Sequence, residues 1–358
     1  MWIILASLSI VLATPLLAHQ PDVQLGSQVD GPTYQFPATG FGGYQWNGAV
    51  HDLKAQWRVP EISATSPTGV AATWIGAQVS TGNDFIQIGV DEITEENRHN
   101  NYVAFWSDSA VNFHPQPMGL VSPGELIFVS MNQNADGWLV AIYNRTKSFA
   151  QFREIHYEAR VHFTTAAWIQ EDPAPGVVSS RDTPYPVMTN VEFQNLKING
   201  VNPRLNLADG LVLIASTGEI RVPTAVRNDS FTFTAPYGAQ RQYLEDARTL
   251  DIGVAKFQAD FVNWKTTPTA ARSLDVKDFV NVLRTNVKDL QRQAWPGSTQ
   301  ASISKLIQVT NRQIAELQAW SRAGLQTNDS AFLKYVPVVG LHQKIVNTVR
   351  ASLKLPPI

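Results

Sequence analysis

Two polar residues of this 358-residue chain are placed to do chemistry. Gln87 sits in Phe85-Ile86-Gln87-Ile88-Gly89-Val90-Asp91. Alternate residues of a strand share a face, so Ile86, Ile88 and Val90 point to a core and Phe85, Gln87, Gly89 and Asp91 point the other way. Gly89 has no Cβ and lets another backbone approach closely. Glu171 ends Ala166-Ala167-Trp168-Ile169-Gln170-Glu171 and shares its face with Ala167 and Ile169. Apolar neighbours of that kind desolvate a carboxyl group and raise its pKa. A glutamate can take a proton from water and return it to a leaving group. A glutamine amide can donate to a developing oxyanion, an interaction worth roughly 3 kcal/mol when one such donor is removed from a known site. Either residue alone is most simply a solvated position on a strand, so their meaning rests on what surrounds them.

Composition bounds the surroundings. Two domains are expected from the length, and 44% hydrophobic residues are ample for a core. A net charge of -2 argues against an electrostatic grip on nucleic acid. There is no cysteine, so disulfides and thiolate metal sites are excluded. His19, His51, His99, His114, His156, His162 and His342 show no ligand spacing, and neither a metal nor a cofactor is expected. Trp2 to Leu17 is a short apolar run interrupted by Pro15, read as a signal peptide over residues 1–18 with cleavage after Ala18. The expectation is a secreted protein with no stable membrane insertion once the signal is removed. Three Asn-x-Ser/Thr triplets, at Asn144, Asn228 and Asn328, are candidate glycosylation sites on that route.

The elements that must position Gln87 and Glu171 are strands. Residues 19–43 are polar, rich in Gly and Pro, and read as a propeptide or N-terminal arm. From 44 to 245, short runs of Val, Ile, Phe, Tyr and Trp are broken by turn residues. The clearest hairpin joins Glu125–Met131 to Trp138–Tyr143 through Asp136-Gly137. Other strands are expected at 46–59, 71–77, 84–91, 101–107, 156–163, 166–171, 189–196, 211–215 and 230–234. This spacing predicts a mainly β protein, a two-sheet antiparallel β-sandwich of concanavalin-like type. Past residue 246 the period becomes helical. Val276, Phe279, Val280, Leu283, Val287 and Leu290 form one stripe, and Ile303, Leu306, Thr310, Ile314 and Leu317 another. Pro296-Gly297-Ser298 separates them, with Ser298 or Thr299 as the expected cap. A third helix is expected over 341–353. Residues 246–358 thus read as a C-terminal helical extension.

Three motifs surround the two polar residues. They are Trp46-Asn47-Gly48-Ala49-Val50 with Trp57-Arg58-Val59-Pro60; Thr73-Trp74-Ile75-Gly76 with the Gln87 strand; and the Glu171 strand. In this order they resemble the eqolisins, the scytalidoglutamic-peptidase-like glutamic peptidases, over roughly residues 44–245. That family shows an N-W-x-G-A start, a strand ending V-P, W-V-G-I-D, an L-Q-x-G strand, and A-E-W-I-x-E. The resemblance implies a secreted, acid-acting glutamic endopeptidase with no cofactor, acting on polypeptide as a monomer. It places Gln87 and Glu171 at the catalytic dyad, and Trp74, Asp91, Gln78 and Trp106 among the substrate-binding positions.

The chain departs from the family pattern in places. Gln78 stands at the acid of W-V-G-I-D, and Ala167 at the first glutamate of A-E-W-I-x-E. Ala104-Phe105-Trp106-Ser107-Asp108 lacks the family's glutamate, unless Asp108 substitutes for it. These changes leave a second reading open. It is a catalytically inactive or repurposed sandwich protein that holds a glycan, stacked on Trp74, Trp106 and Trp168, or a small metabolite.

Overall fold

A computed structural model describes residues 40–358 except 80–83, 96–99, 157–161, 174–183, 216 and 263. The signal peptide and most of the expected arm therefore lie outside the described residues, as does most of the strand expected at 156–163. The chain divides into two compact units at the junction of Pro236 and Tyr237, earlier than the junction at 245 read from the sequence.

The first unit is the expected sandwich of two antiparallel sheets. Its strands are β1 (Phe41–Asn47), β2 (Asp52–Arg58), β3 (Gly69–Gln78), β4 (Phe85–Thr94), β5 (Asn100–Asp108), β6 (Gln116–Leu120), β7 (Leu126–Asn134), β8 (Gly137–Asn144), β9 (Phe149–His156), β10 (Thr165–Glu171), β11 (Val191–Ile198), β12 (Gly210–Leu211), β13 (Leu213–Ile214), β14 (Ile220–Pro223) and β15 (Phe231–Thr234). One sheet runs β12-β1-β10-β3-β4-β5-β6 and the other β13-β14-β15-β11-β2-β7-β8-β9. The single strand expected at 46–59 is two strands in different sheets. Gly48, at φ 151°, takes a backbone shape closed to side-chain-bearing residues and turns the chain between them.

Between the sheets lies an aromatic and aliphatic core that includes Tyr44, Trp57, Trp138, Phe163, Trp168, Phe193 and Phe233. Ile75, Ile86, Ile88 and Val90 all point into it, as the alternation in β4 predicts. The opposite face of the seven-stranded sheet carries a smaller cluster of Ala72, Trp74, Phe85, Phe105, Ala167 and Ile169.

The second unit holds four helices: α1 (Gly238–Val262), α2 (Thr269–Arg292), α3 (Gly297–Arg322) and α4 (Ser330–Ser352). The sequence stripes fall on α2 and α3. α1 was not anticipated, because its buried positions Tyr243, Leu244, Leu250, Phe257 and Phe261 are too far apart to read as a stripe. α4 begins well before 341 and carries Pro337 inside it, a residue that ordinarily ends a helical reading. Neither Ser298 nor Thr299 caps α3, which starts at Gly297 behind Pro296 without a side-chain cap. Thr299 is buried, and its hydroxyl accepts a hydrogen bond from Ser352. Among the described residues, no helix is long and apolar enough to cross a membrane.

Candidate active site

The register of β10, β3, β4 and β5 fixes which side chains meet on the outer face of the seven-stranded sheet. One row across these strands is Glu171, Ala72, Asp91 and Val103; the next is Ile169, Trp74, Gly89 and Phe105; the third is Ala167, Gly76, Gln87 and Ser107; a fourth holds Thr165, Gln78 and Phe85. Gln87, Glu171, Asp91, Gln78 and Trp74 therefore share one face. Gln87 and Glu171 stand two strands and two rows apart, so at standard spacings their backbones are roughly 10 Å apart across the sheet and about 13 Å along it.

Trp74 occupies the interval between them. It is fully buried, edge-on to both Phe41 and Phe85. Its Nε1–H donates to Glu171 Oε2 at 2.7 Å. At its other end, a Cβ added to Gly76 would lie 2.9 Å from Trp74 Cζ3. One indole ring thus reaches from the Glu171 carboxyl to the glycine beside Gln87. The space opened by Gly89 is taken by β3: a Cβ there would lie 2.2 Å from Thr73 O and 2.5 Å from Trp74 Cβ. Gly89 thus admits a close backbone, as the sequence suggested, and that backbone is the neighbouring strand β3.

The electrostatics of this face follow from burial. Burial pushes the Glu171 carboxyl up to about 8; the indole hydrogen bond opposes that rise and nearby Asp172 adds to it. Glu171 nevertheless remains partly exposed. Asp91 is only 4% exposed, and burial, with the charge of Glu171 added, raises its carboxyl well above the ordinary range. Its Oδ1 has no hydrogen-bond partner among the described residues. Glu92 projects from the opposite face of β4 and is fully buried. Its carboxyl is raised by burial, eased by the Thr73 hydroxyl and raised again by Asp91. Sequence reasoning missed Glu92, because the expected strand 84–91 stops one residue before it, while β4 runs on to Thr94. Among the described residues no three acidic or histidine side chains are grouped to hold a metal ion.

Gln87 is 7% exposed. Its Nε2 donates to Ser107 Oγ at 2.7 Å, and its Oε1 has no partner among the described residues. Ser107 is the residue of the Ala104–Asp108 segment that faces Gln87. Asp108 lies on the other face, where it accepts a hydrogen bond from Val111 N, so it does not replace the missing glutamate beside Gln87. Gln78 is buried one row beyond Gln87.

Three expectations are corrected. Trp106 pairs with Ile88 and packs against the sandwich interior, so it cannot line the face that carries Gln87. Trp168 is fully buried with Nε1 donating to Lys54 O. Together with the burial of Trp74, this removes the stacking platform proposed for a glycan. Asn144 is 1% exposed; its Nδ2 donates to Glu125, and its Oδ1 accepts from the backbone of Thr146 and Lys147. The nitrogen a glycan would need is already committed inside the fold. Asn228 and Asn328 are exposed.

No family model and no curated protein match the chain. Among solved structures it is similar to scytalido-glutamic peptidase with a transition state analog inhibitor, at 18% identity and TM-score 0.41, over 55% of this chain and 100% of that one. It is also similar to SCP-B, a member of the Eqolisin family, in a complex with the tripeptide Ala-Ile-His, at 16% identity and TM-score 0.39, over 55% of this chain and 98% of that one. These values describe a distant likeness in fold.

Proposed function

We propose that the chain is a secreted hydrolase of peptide bonds in which Glu171 carries the proton and Gln87 steadies the oxyanion. The observation that carries this reading is the Glu171 carboxyl, oriented by Trp74 on the same sheet face as Gln87. The order of the three sequence motifs supports it.

The chemistry balances with these groups alone. Ionised Glu171 takes a proton from water as the water oxygen bonds to the carbonyl carbon. The carbonyl oxygen becomes an oxyanion and accepts a hydrogen bond from Gln87 Nε2. Glu171 then returns the proton to the leaving nitrogen, and the C–N bond breaks. Trp74 holds the carboxyl group and is a positioning residue. An extended polypeptide is the substrate class, as the motif resemblance implies. The acidic optimum expected from that resemblance moves upward: with a pKa of about 8, the basic form of Glu171 declines roughly tenfold for each pH unit below that value.

The leader over residues 1–18 supports secretion, and exposed Asn228 and Asn328 suit glycosylation on that route. A second reading, a sandwich without peptidase activity, is favoured by one feature: the Gln87 donor is spent on Ser107. One experiment decides between them. Purified chain is incubated with a denatured protein between pH 2 and 9, beside Glu171→Gln and Gln87→Ala. Cleavage by the wild type that both variants lose supports the dyad. Equal cleavage by the variants refutes it, and no cleavage at any pH favours the second reading.

A further inference from the structure

The helical unit encloses a cavity of about 70 Å³. α1 packs on α2, α2 on α3, and α3 on α4, while the fourth seam of the bundle, between α1 and α4, is where the cavity runs. Leu250, Val254, Phe257, Phe279 and Leu283 form an apolar wall, with the Phe257 and Phe279 rings stacked at 4.6 Å.

Polar atoms converge on this apolar space. Asn286 and Gln313 line it and are 3% and 4% exposed. Each turns its nitrogen to the protein: Asn286 Nδ2 donates to Asp246 O and Gln313 Nε2 to Tyr335 Oη. Their carbonyl oxygens, Asn286 Oδ1 and Gln313 Oε1, have no partner among the described residues, nor has His342 Nε2. Buried carbonyl oxygens without a donor are costly. An apolar cavity with a few converging polar atoms is the usual form of a small-molecule site.

We infer that this seam is a binding site for a small neutral molecule with a short aliphatic body and a hydroxyl group. Size sets the first limit, because 70 Å³ is about half the roughly 150 Å³ of an engineered cavity that holds benzene. The two carbonyl oxygens set the second, since they accept and call for an O–H donor. Charge sets the third. Asp251 and Arg350 line the same cavity and interact electrostatically, so the charges at the site already balance and an ionic guest gains nothing. Burial holds His342 neutral down to about pH 4, so at neutral pH it adds no charge.

The test uses two isomers of equal composition, ethanol and dimethyl ether, of which only the alcohol donates. Each is titrated into the full chain while the side-chain amide signals of Asn286 and Gln313 are followed by NMR. The alcohol is expected to bind saturably and about tenfold more tightly than the ether, the factor that one hydrogen bond supplies. Asn286→Leu and Gln313→Met remove the acceptors, and each should narrow that preference. Non-saturating shifts with the alcohol, or equal affinities for alcohol and ether in the wild type, overturn the inference. The wild-type comparison decides even where a variant fails to fold.

Discussion

Replacing Glu171 by Gln removes one ionisation and leaves the shape nearly unchanged, so its effect on stability can be worked out in advance. Folded, the carboxyl titrates near 8; unfolded, near 4.5. Between these values the folded chain keeps a proton that the unfolded chain has released. Stability therefore falls as pH rises through this window. At ~1.36 kcal/mol per pH unit, the gap sets a ceiling of about 5 kcal/mol. Glu171 is partly exposed, and solvent screening should reduce the realised effect to about half that ceiling. Glu92 is raised in the same direction but is present in both chains and largely cancels, whereas Asp91 is raised partly by the Glu171 charge, so its relief in the variant adds to the relative gain. Urea unfolding of wild type and Glu171→Gln at pH 4 to 9 measures the difference. The two should be nearly equal at pH 4, and the variant should gain about 2–3 kcal/mol relative to wild type by pH 8.5. A relative gain under about 0.5 kcal/mol across this range would mean that Glu171 ionises as it does in water, and the burial argument would fail.

Trp74→Phe removes the indole donor that favours the carboxylate, so the Glu171 pKa should rise above its wild-type value; carboxyl 13C NMR titration of the two chains reads the direction. Gly43→Ala places a Cβ 2.0 Å from Trp168 O at a residue with φ 143°; it should cost more than about 1 kcal/mol in urea unfolding, because neither the backbone shape nor the space admits a side chain. Chain secreted from a glycosylating host should carry glycan at Asn228 or Asn328 and none at Asn144, as peptide mass spectrometry will show. Leu317→Ala, at a fully buried position of α3, should cost about 2–5 kcal/mol.

Much of the candidate site was legible in the sequence, because a strand announces its two faces through a period of two. That period puts Gln87 and Asp91 on one side of β4 and the isoleucines on the other, and it groups Glu171 with Ala167 and Ile169. The helical period of 3.6 marks the stripes of α2 and α3 in the same local way. Alternation is local, however. It says which residues of one strand agree with one another, and it leaves open which face will be covered and which residue of the next strand will stand opposite. Pairing register, set by packing between distant segments, decided that Ser107 faces Gln87 while Trp106 and Asp108 turn away. Burial decided the rest. Trp74 became a buried link between Glu171 and the glycine beside Gln87, and Asn144 became part of the interior. The fully buried Glu92 shows the same limit: the strand expected at 84–91 stops one residue short of it, and its raised pKa follows only from what the assembled sheets pack around it.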